Sequence, residues 1–181
     1  DLIKACGWAE TITGAAIPAA PEAIDTGSTT TAVVLGTSAS SVDQVYRGMP
    51  LDLTGAPAAL AFINDYAGGS KTALITDLLG SAPTTGATQY QIPANVLYAP
   101  ASTSIPSLTL YLYLDGILYK FAGCRGSFNL SLNSGGIGRF SFTFQGMFLS
   151  KTDAAVPAAT YDATRPPPFK GGAMLVDRKA A

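Results

Sequence analysis

The segment Leu108-Thr109-Leu110-Tyr111-Leu112-Tyr113-Leu114 puts leucine at every even position and Thr or Tyr at every odd one. A pleated strand sends successive side chains to opposite faces, so this period of two selects a β-strand and excludes a helix. Asp115-Gly116 follows, a dipeptide suited to a two-residue hairpin turn. Ile117-Leu118-Tyr119-Lys120-Phe121 then returns as the partner strand. Beyond Gly123-Cys124-Arg125-Gly126 the alternation resumes, with Phe128, Leu130 and Leu132 on one side and Ser127, Asn129 and Ser131 on the other. A turn at Asn133-Ser134-Gly135-Gly136 leads into a further strand, Arg139 to Gln145. There Phe140, Phe142 and Phe144 are expected to face the core, and Ser141, Thr143 and Gln145 to face away.

Two adjacent strands therefore present a polar face built from Ser, Asn, Thr and Gln. No formal charge interrupts it between Ser127 and Ser131 or between Ser141 and Gln145. Solvent faces ordinarily carry Lys and Glu, which discourage edge pairing and keep proteins apart. A neutral face of hydroxyls and amides suits a surface that stays wet without gripping charged material, or a sheet that continues into a neighbouring subunit. The plain alternative is the ordinary outer face of a sandwich.

Composition supports association. Of 181 residues 13% are charged and the net charge is −1, where an ordinary globular chain has about 25% charged residues. A surface this poor in charge favours self-association. It excludes an electrostatic nucleic-acid binder, which needs clustered Lys and Arg. The chain has no histidine, so Ser-His-Asp and Cys-His catalysis and His-based metal sites are excluded within it. Cys6 and Cys124 show no ligand spacing and read as buried thiols of a reducing compartment. The carboxylates, from Glu10 to Asp177, stand singly and mostly beside turns, where Asp bonds locally. No pair suggests glycosidic acid–base chemistry. The glycines of Ser134-Gly135-Gly136-Ile137-Gly138 precede a strand and do not open a helix, unlike a phosphate loop. The chain reads as no enzyme, without cofactor or metal.

No apolar run reaches the ~18 residues of a membrane span, and Asp1-Leu2-Ile3-Lys4 lacks the features of a signal peptide. Leu2 to Trp8 reads as a helix end closing on Gly7, so the chain reads as starting mid-domain. Residues 25–93 read as a compact unit with strands at Thr30–Leu35, Met49–Leu53, Ala59–Tyr66, Thr72–Thr76 and Thr88–Ile92. A short helix is expected over Ser41–Arg47, stopped by Gly48. The Ala- and Pro-rich stretches Ala15–Pro21 and Ala94–Pro100 read as linkers at an insertion point. In the tail, Arg165-Pro166-Pro167-Pro168-Phe169 imposes a stiff extended path. Ala173 to Val176 is expected to add a strand to a sheet, in this subunit or the next.

The run SLTLYLYLDGILYKFAGCRGSFNLSLNSGGIGRFSFTFQGMF resembles the tail tube (major tail) proteins of long-tailed bacteriophages: an alternating strand, a DG turn, a GxRG segment, a long hairpin and FxFxG. LIKACGWAETI resembles the segment that precedes these elements in that family. SSVDQVYRGMPLDLTG, INDYAGGSKTALIT and ATQYQI are similar to a small β module of phage structural proteins. The chain departs from that module's glycine-rich stretch at Gly55-Ala56-Pro57-Ala58-Ala59, and the N-terminal strands of the tube family are missing from it.

The resemblance implies a mainly β protein: a tail-tube-type β-sandwich or barrel with a flanking helix and inter-subunit hairpins, plus an inserted small β domain. The tube body would comprise residues 1–24 and 94–160, the module 25–93, and an extended C-terminal arm 161–181. It further implies homohexameric rings stacked into a tube, a conduit for phage DNA that passes without specific binding. The tape measure, distal tail and terminator proteins would be its other partners. Its place would be the phage tail, assembled in the host bacterial cytoplasm. Ser127, Asn129, Ser131, Ser141, Thr143 and Gln145 are the candidate lumen-facing residues. Arg125, Arg139, Pro166, Pro167, Pro168 and Phe169 are candidate contacts between subunits. The alternatives are a distal tail or tail-terminator protein of the same fold, or a tail decoration module whose Tyr46, Phe62, Tyr66 and Tyr90 meet host surface glycans.

Overall fold

A computed structural model describes residues 1–76, 79–164, 166, 168 and 169. The chain opens with a one-turn helix, α1 (Leu2–Ala5), followed by β1 (Trp8–Thr13), β2 (Ile17–Ala23), β3 (Ala32–Val34), β4 (Pro50–Gly55) and β5 (Ala59–Ala67). Next come β6 (Thr72–Ile75), β7 (Thr88–Ile92), β8 (Asn95–Pro100), β9 (Leu108–Leu114), β10 (Ile117–Ser131) and β11 (Arg139–Asp153). The protein is mainly β, with curled antiparallel sheets of the sandwich and barrel type. α1 closes as its sequence suggests: the Gly7 N–H bonds to the Lys4 carbonyl, and Gly7 sits at φ 85°, the left-handed conformation that glycine adopts without strain.

Residue contacts divide the chain into two units. Among the described residues, one holds Thr11–Leu97 and the other Asp1–Glu10 with residues 98–169. In the first, six strands are ordered β2-β7-β4-β5-β6-β3. Alternate residues of β4, β5 and β7 point inward, so Leu51, Leu53, Ala61, Ile63, Tyr66, Tyr90 and Ile92 are buried together with Ile24, Val33 and Leu35. β5 shifts register between Ile63 and Asp65, which brings Tyr66 into the core on the same side as Ala61 and Ile63. Asp25, just after β2, donates its N–H to the Val34 carbonyl of β3 at 2.8 Å, so the two ends of the six-strand order meet.

Three features of this unit differ from the sequence reading. Residues 41–48 form turns and no helix. Gln44 has a left-handed φ of 61°, its N–H bonds to the Tyr66 carbonyl, and the Asp43 carboxylate accepts the Gly68 N–H. Tertiary bonds thus take the groups that a helix would have used. The supposed linkers are strands β2 and β8; β2 tolerates Pro18 and Pro21 because it is the terminal strand of the order and needs ladder bonds on one side only. Tyr46, Tyr66 and Tyr90, offered as glycan contacts, belong to the core at 4%, 0% and 1% exposure; of that set Phe62 alone is exposed.

The second unit contains a three-stranded antiparallel sheet ordered β11-β10-β9. Asp115 and Gly116 both have positive φ, 49° and 75°, as a tight turn of the right twist for a β9–β10 hairpin requires. The Gly123–Gly126 segment does not separate two strands as expected. β10 runs through it as a single 15-residue strand, absorbing the irregularity as register shifts near Phe121 and Cys124, in the manner of a β-bulge. β1 and β8 pair with each other in a two-stranded sheet. Ala173–Val176 lies outside the described residues.

Candidate functional site

The register of β10 against β11 brings the candidate lumen residues together. Ser127 stands opposite Thr143, Asn129 opposite Ser141, Ser131 opposite Arg139, and Arg125 opposite Gln145. Directly paired residues of antiparallel strands share a face, as do alternate residues along each strand. All six neutral residues therefore occupy one face, and all six are exposed. Arg125 and Arg139 share that face, which their odd numbers already signalled in the sequence. The Arg125 Nη2 donates to the Ile105 carbonyl at 2.8 Å.

The reverse face carries an aromatic ladder. Phe140 stacks on Phe142 and Phe142 on Phe144, each pair with centroids 5.8 Å apart, while Phe128 leans against Phe140, Phe142 and Trp8 at 5.8, 5.9 and 5.7 Å. Such pairs add roughly 0.5–1.5 kcal/mol beyond their burial. The expectation that Phe140, Phe142 and Phe144 point into a core needs correction. Phe140 is 49% exposed and Leu130 42%, while Phe142 and Phe144 are half-buried. Among the described residues of this unit, Ala5 and Cys124 are the only buried hydrophobic side chains. The three-stranded sheet alone has no second layer deep enough to cover the ladder.

Farther along β11, Met147, Phe148 and Leu149 are exposed at 68%, 55% and 50%. A cavity of about 530 Å³ opens nearby, lined by Leu110, Leu112, Phe121, Cys124, Phe144 and Gly146 among others. Both cysteines are free thiols, Cys124 buried and Cys6 partly so, and burial pushes the Cys6 thiol up from its ordinary pKa. Near the N-terminus the Tyr98 hydroxyl donates to Glu10 at 2.5 Å, and Lys4 lies 2.9 Å from Asp1 and 3.5 Å from Glu10. The hydrogen bond from Tyr98, reinforced by Lys4, lowers the Glu10 pKa.

The candidate subunit contacts in the tail lie partly within the described residues. Phe169 clasps the β10–β11 turn of its own chain: the Gly135 N–H bonds to its carbonyl and its N–H bonds to the Gly136 carbonyl, both at 2.7 Å. Pro166 and Pro168 are exposed and outside any helix or strand; Pro167 lies outside the described residues. The arm starts where the Ala154 N–H meets the Gly116 carbonyl, and Val156 and Tyr161 along it are 66% and 86% exposed.

Sequence reasoning missed one carboxylate centre. Glu22 of β2 accepts hydrogen bonds from the Tyr90 hydroxyl and the Thr37 hydroxyl, both at 2.8 Å, and from the Ser38 N–H at 3.2 Å. Burial raises its pKa, but the bonds from Tyr90, Thr37 and Ser38 outweigh that and leave it lowered. Gly36 leaves it room, since a Cβ there would fall 2.6 Å from the carboxyl carbon. No local motif marks this group, because its partners come from distant positions. Among the described residues no group of three or more His, Cys, Asp or Glu is placed to hold a metal, and no helix is long and apolar enough to cross a membrane.

A family model described as phage tail tube protein matches residues 49–179. No curated protein and no solved structure matches the chain.

Proposed function

The chain belongs to the phage tail tube protein family, and from that premise we propose how this structural protein of the virion assembles. Copies join edge to edge through β9 and β11, six subunits close a ring, and rings stack into a tube that carries DNA during ejection. Ser127, Asn129, Ser131, Ser141, Thr143 and Gln145 face the lumen. The tube body, expected over residues 1–24 and 94–160, takes residues 1–10 and 98–160 once β2 is counted with the six-stranded unit, residues 11–97 form a module that projects outward, and the arm around Pro166, Pro168 and Phe169 adds contacts between copies. The tape measure, distal tail and terminator proteins meet the ends or interior of the tube, and assembly takes place in the host cytoplasm.

One observation carries this reading: the contrast between the edges of the two units. The six-stranded unit protects its terminal strands. β2 carries Pro18 and Pro21, β3 has three residues, and Asp25 bonds across to Val34. Prolines and short strands are standard ways to prevent edge-to-edge association. The three-stranded sheet has no such protection. β11 is a 15-residue terminal strand with no proline and no formal charge from Phe140 to Ser150. β9, at the other side, carries no charge at all. Closing such a sheet into a barrel shared by several copies removes both free edges. The same closure gives the aromatic ladder neighbours and leaves a neutral wet face along which phosphates slide without strong retention.

Electron microscopy of the purified protein tests this. Six-fold rings or tubes are expected, and a monodisperse monomer at high concentration contradicts the proposal.

A further inference from the structure

The cavity of about 530 Å³ in the three-stranded sheet opens where β10 shifts register. Leu110 and Leu112 of β9, Phe121 and Cys124 of β10, and Phe144 and Gly146 of β11 are among its lining. The gap follows from the packing beneath it. Cys124 fills the space that a side chain at position 146 would need, since a Cβ there would lie 2.3 Å from the sulfur. Gly146 therefore sends nothing upward to close the opening. An unfilled apolar cavity forfeits the dispersion contacts of its lining atoms, and water gains little there without polar partners. A neighbouring strand at either edge does not fill it. The lining comes from all three strands, so the opening lies over a face of the sheet, whereas edge-to-edge joining extends the sheet in its own plane. The occupant has to come from above the sheet, and it has to be apolar.

The sequence holds one such segment in residues 170–181, outside the described residues. Gly171-Gly172 precedes Ala173-Met174-Leu175-Val176, and Asp177-Arg178-Lys179 follows. A permissive glycine pair lets the chain change direction before the apolar run, three charges end it, and methionine adapts to irregular gaps. Reach decides whose cavity it enters. Phe169 is held at the β10–β11 turn of its own chain by two backbone bonds of 2.7 Å. Five residues separate Phe169 from Met174, at most about 18 Å of fully extended chain. Gly146 lies seven residues beyond Arg139, where β11 leaves that turn, about 23 Å along the strand. Phe121, opposite Phe148, lies farther still. While the Phe169 clasp holds, the apolar run falls short of the cavity in its own chain.

We propose that residues 173–176 of one copy insert into the cavity between Leu112, Phe121 and Phe144 of another, a contact between subunits distinct from edge pairing. The inference rests on the role of the arm between copies given above and names its seat. Exchange of an identical element between copies is a low-cost route to association, and here the knob and the hole belong to different parts of the same chain. Each subunit therefore both gives and receives an arm.

Cys124 supplies the probe. In the full chain with C6A, single cysteines are introduced as M174C, L175C or V176C, with A180C as a control beyond the apolar run. Each concentrated protein is oxidised with diamide and run on a non-reducing gel. A cysteine seated in the cavity comes within disulfide reach of Cys124. At least one of the three is expected to give a ladder of dimers and larger species that vanishes when C124A is added, while A180C gives none. The absence of a ladder from all three overturns the proposal, as does a ladder that survives C124A or a link confined to one chain. M174K/L175K should also raise the concentration at which copies assemble by about tenfold or more, with thermal unfolding of the subunit unchanged; assembly at the parent's concentration overturns the proposal. A ladder that depends on Cys124 in a protein that forms no rings supports the arm contact and contradicts the ring reading alone.

Discussion

Gly146 of β11 lies so close to Cys124 of β10 that a Cβ at position 146 would stand 2.3 Å from the Cys124 sulfur. The contact occurs where β10 shifts register between Ala122 and Arg125, and Cys124 is 1% exposed. The bulge, the buried thiol and the missing side chain form one packing solution at the middle of the long hairpin. G146A should therefore force the strands apart at a cost of about 1–3 kcal/mol, the usual range for overpacking. Thermal unfolding measures it. C124A should rescue only part of the loss, because the new Cβ would still lie 3.1 Å from the Ala122 carbonyl oxygen. A G146A protein as stable as the parent contradicts this account of the bulge.

Charge placed on the open edge should prevent assembly while sparing the fold. Met147 and Leu149 are 68% and 50% exposed on β11, so M147K/L149K removes little packing from the free subunit, and exposed substitutions of this kind usually change stability by no more than about 0.5 kcal/mol each. Lysine on an edge strand opposes pairing with another chain. Sedimentation velocity should show a folded monomer where the parent forms larger species. Parent-like polymerisation of this variant contradicts a role for β11 in joining copies.

Glu22 ties the β2 edge to the loop at Thr37 and Ser38 and to Tyr90 of β7. Since its folded pKa is lowered, the stability it contributes is present above the ordinary carboxylate value of 4.5 and is lost as pH falls through the folded value. E22Q should cost about 2 kcal/mol at neutral pH, typical of losing a hydrogen-bonded charge, and should flatten the acid side of the stability–pH curve. Chemical denaturation at a series of pH values reads both effects. An acid limb equally steep in E22Q assigns the pH dependence to other groups.

Thr88 is the one fully buried polar side chain among the described residues. Its hydroxyl donates to the Ala56 carbonyl and accepts the Thr84 N–H. T88V keeps the shape and leaves both partners unsatisfied, which should cost about 1–3 kcal/mol. T88S keeps the hydroxyl and should lose less. A T88V protein more stable than T88S would show that methyl packing, and not these bonds, governs the site.

Alternation made much of the fold legible. The odd and even residues from Ser127 to Ser131 and from Arg139 to Gln145 occupy opposite faces as their pattern indicates, and Asp115-Gly116 turns as its composition demands. Alternation does not say what covers a face. Phe140, Phe142 and Phe144 share a side, but the layer that would bury them is not supplied by the sheet that holds them. Gly123 and Gly126 looked like a break, yet glycine also permits a bulge within one strand. Pro18 and Pro21 looked like linker residues until β2 proved to lie at the end of a sheet. Residues 41–47 lost their expected helix to bonds with Tyr66 and Gly68, partners no local window contains. The arginines of the polar face were readable by parity alone; their neighbours across the hairpin required the register.

Electron cryomicroscopy of the assembled protein, at a resolution that separates strands, tests the central claim most directly. The account predicts β11 of one copy hydrogen-bonded to β9 of the next, with Asn129 and Ser141 lining a central channel. Asn129 and Ser141 on the outer surface, with the edges of both strands left free of any neighbouring copy, would contradict it.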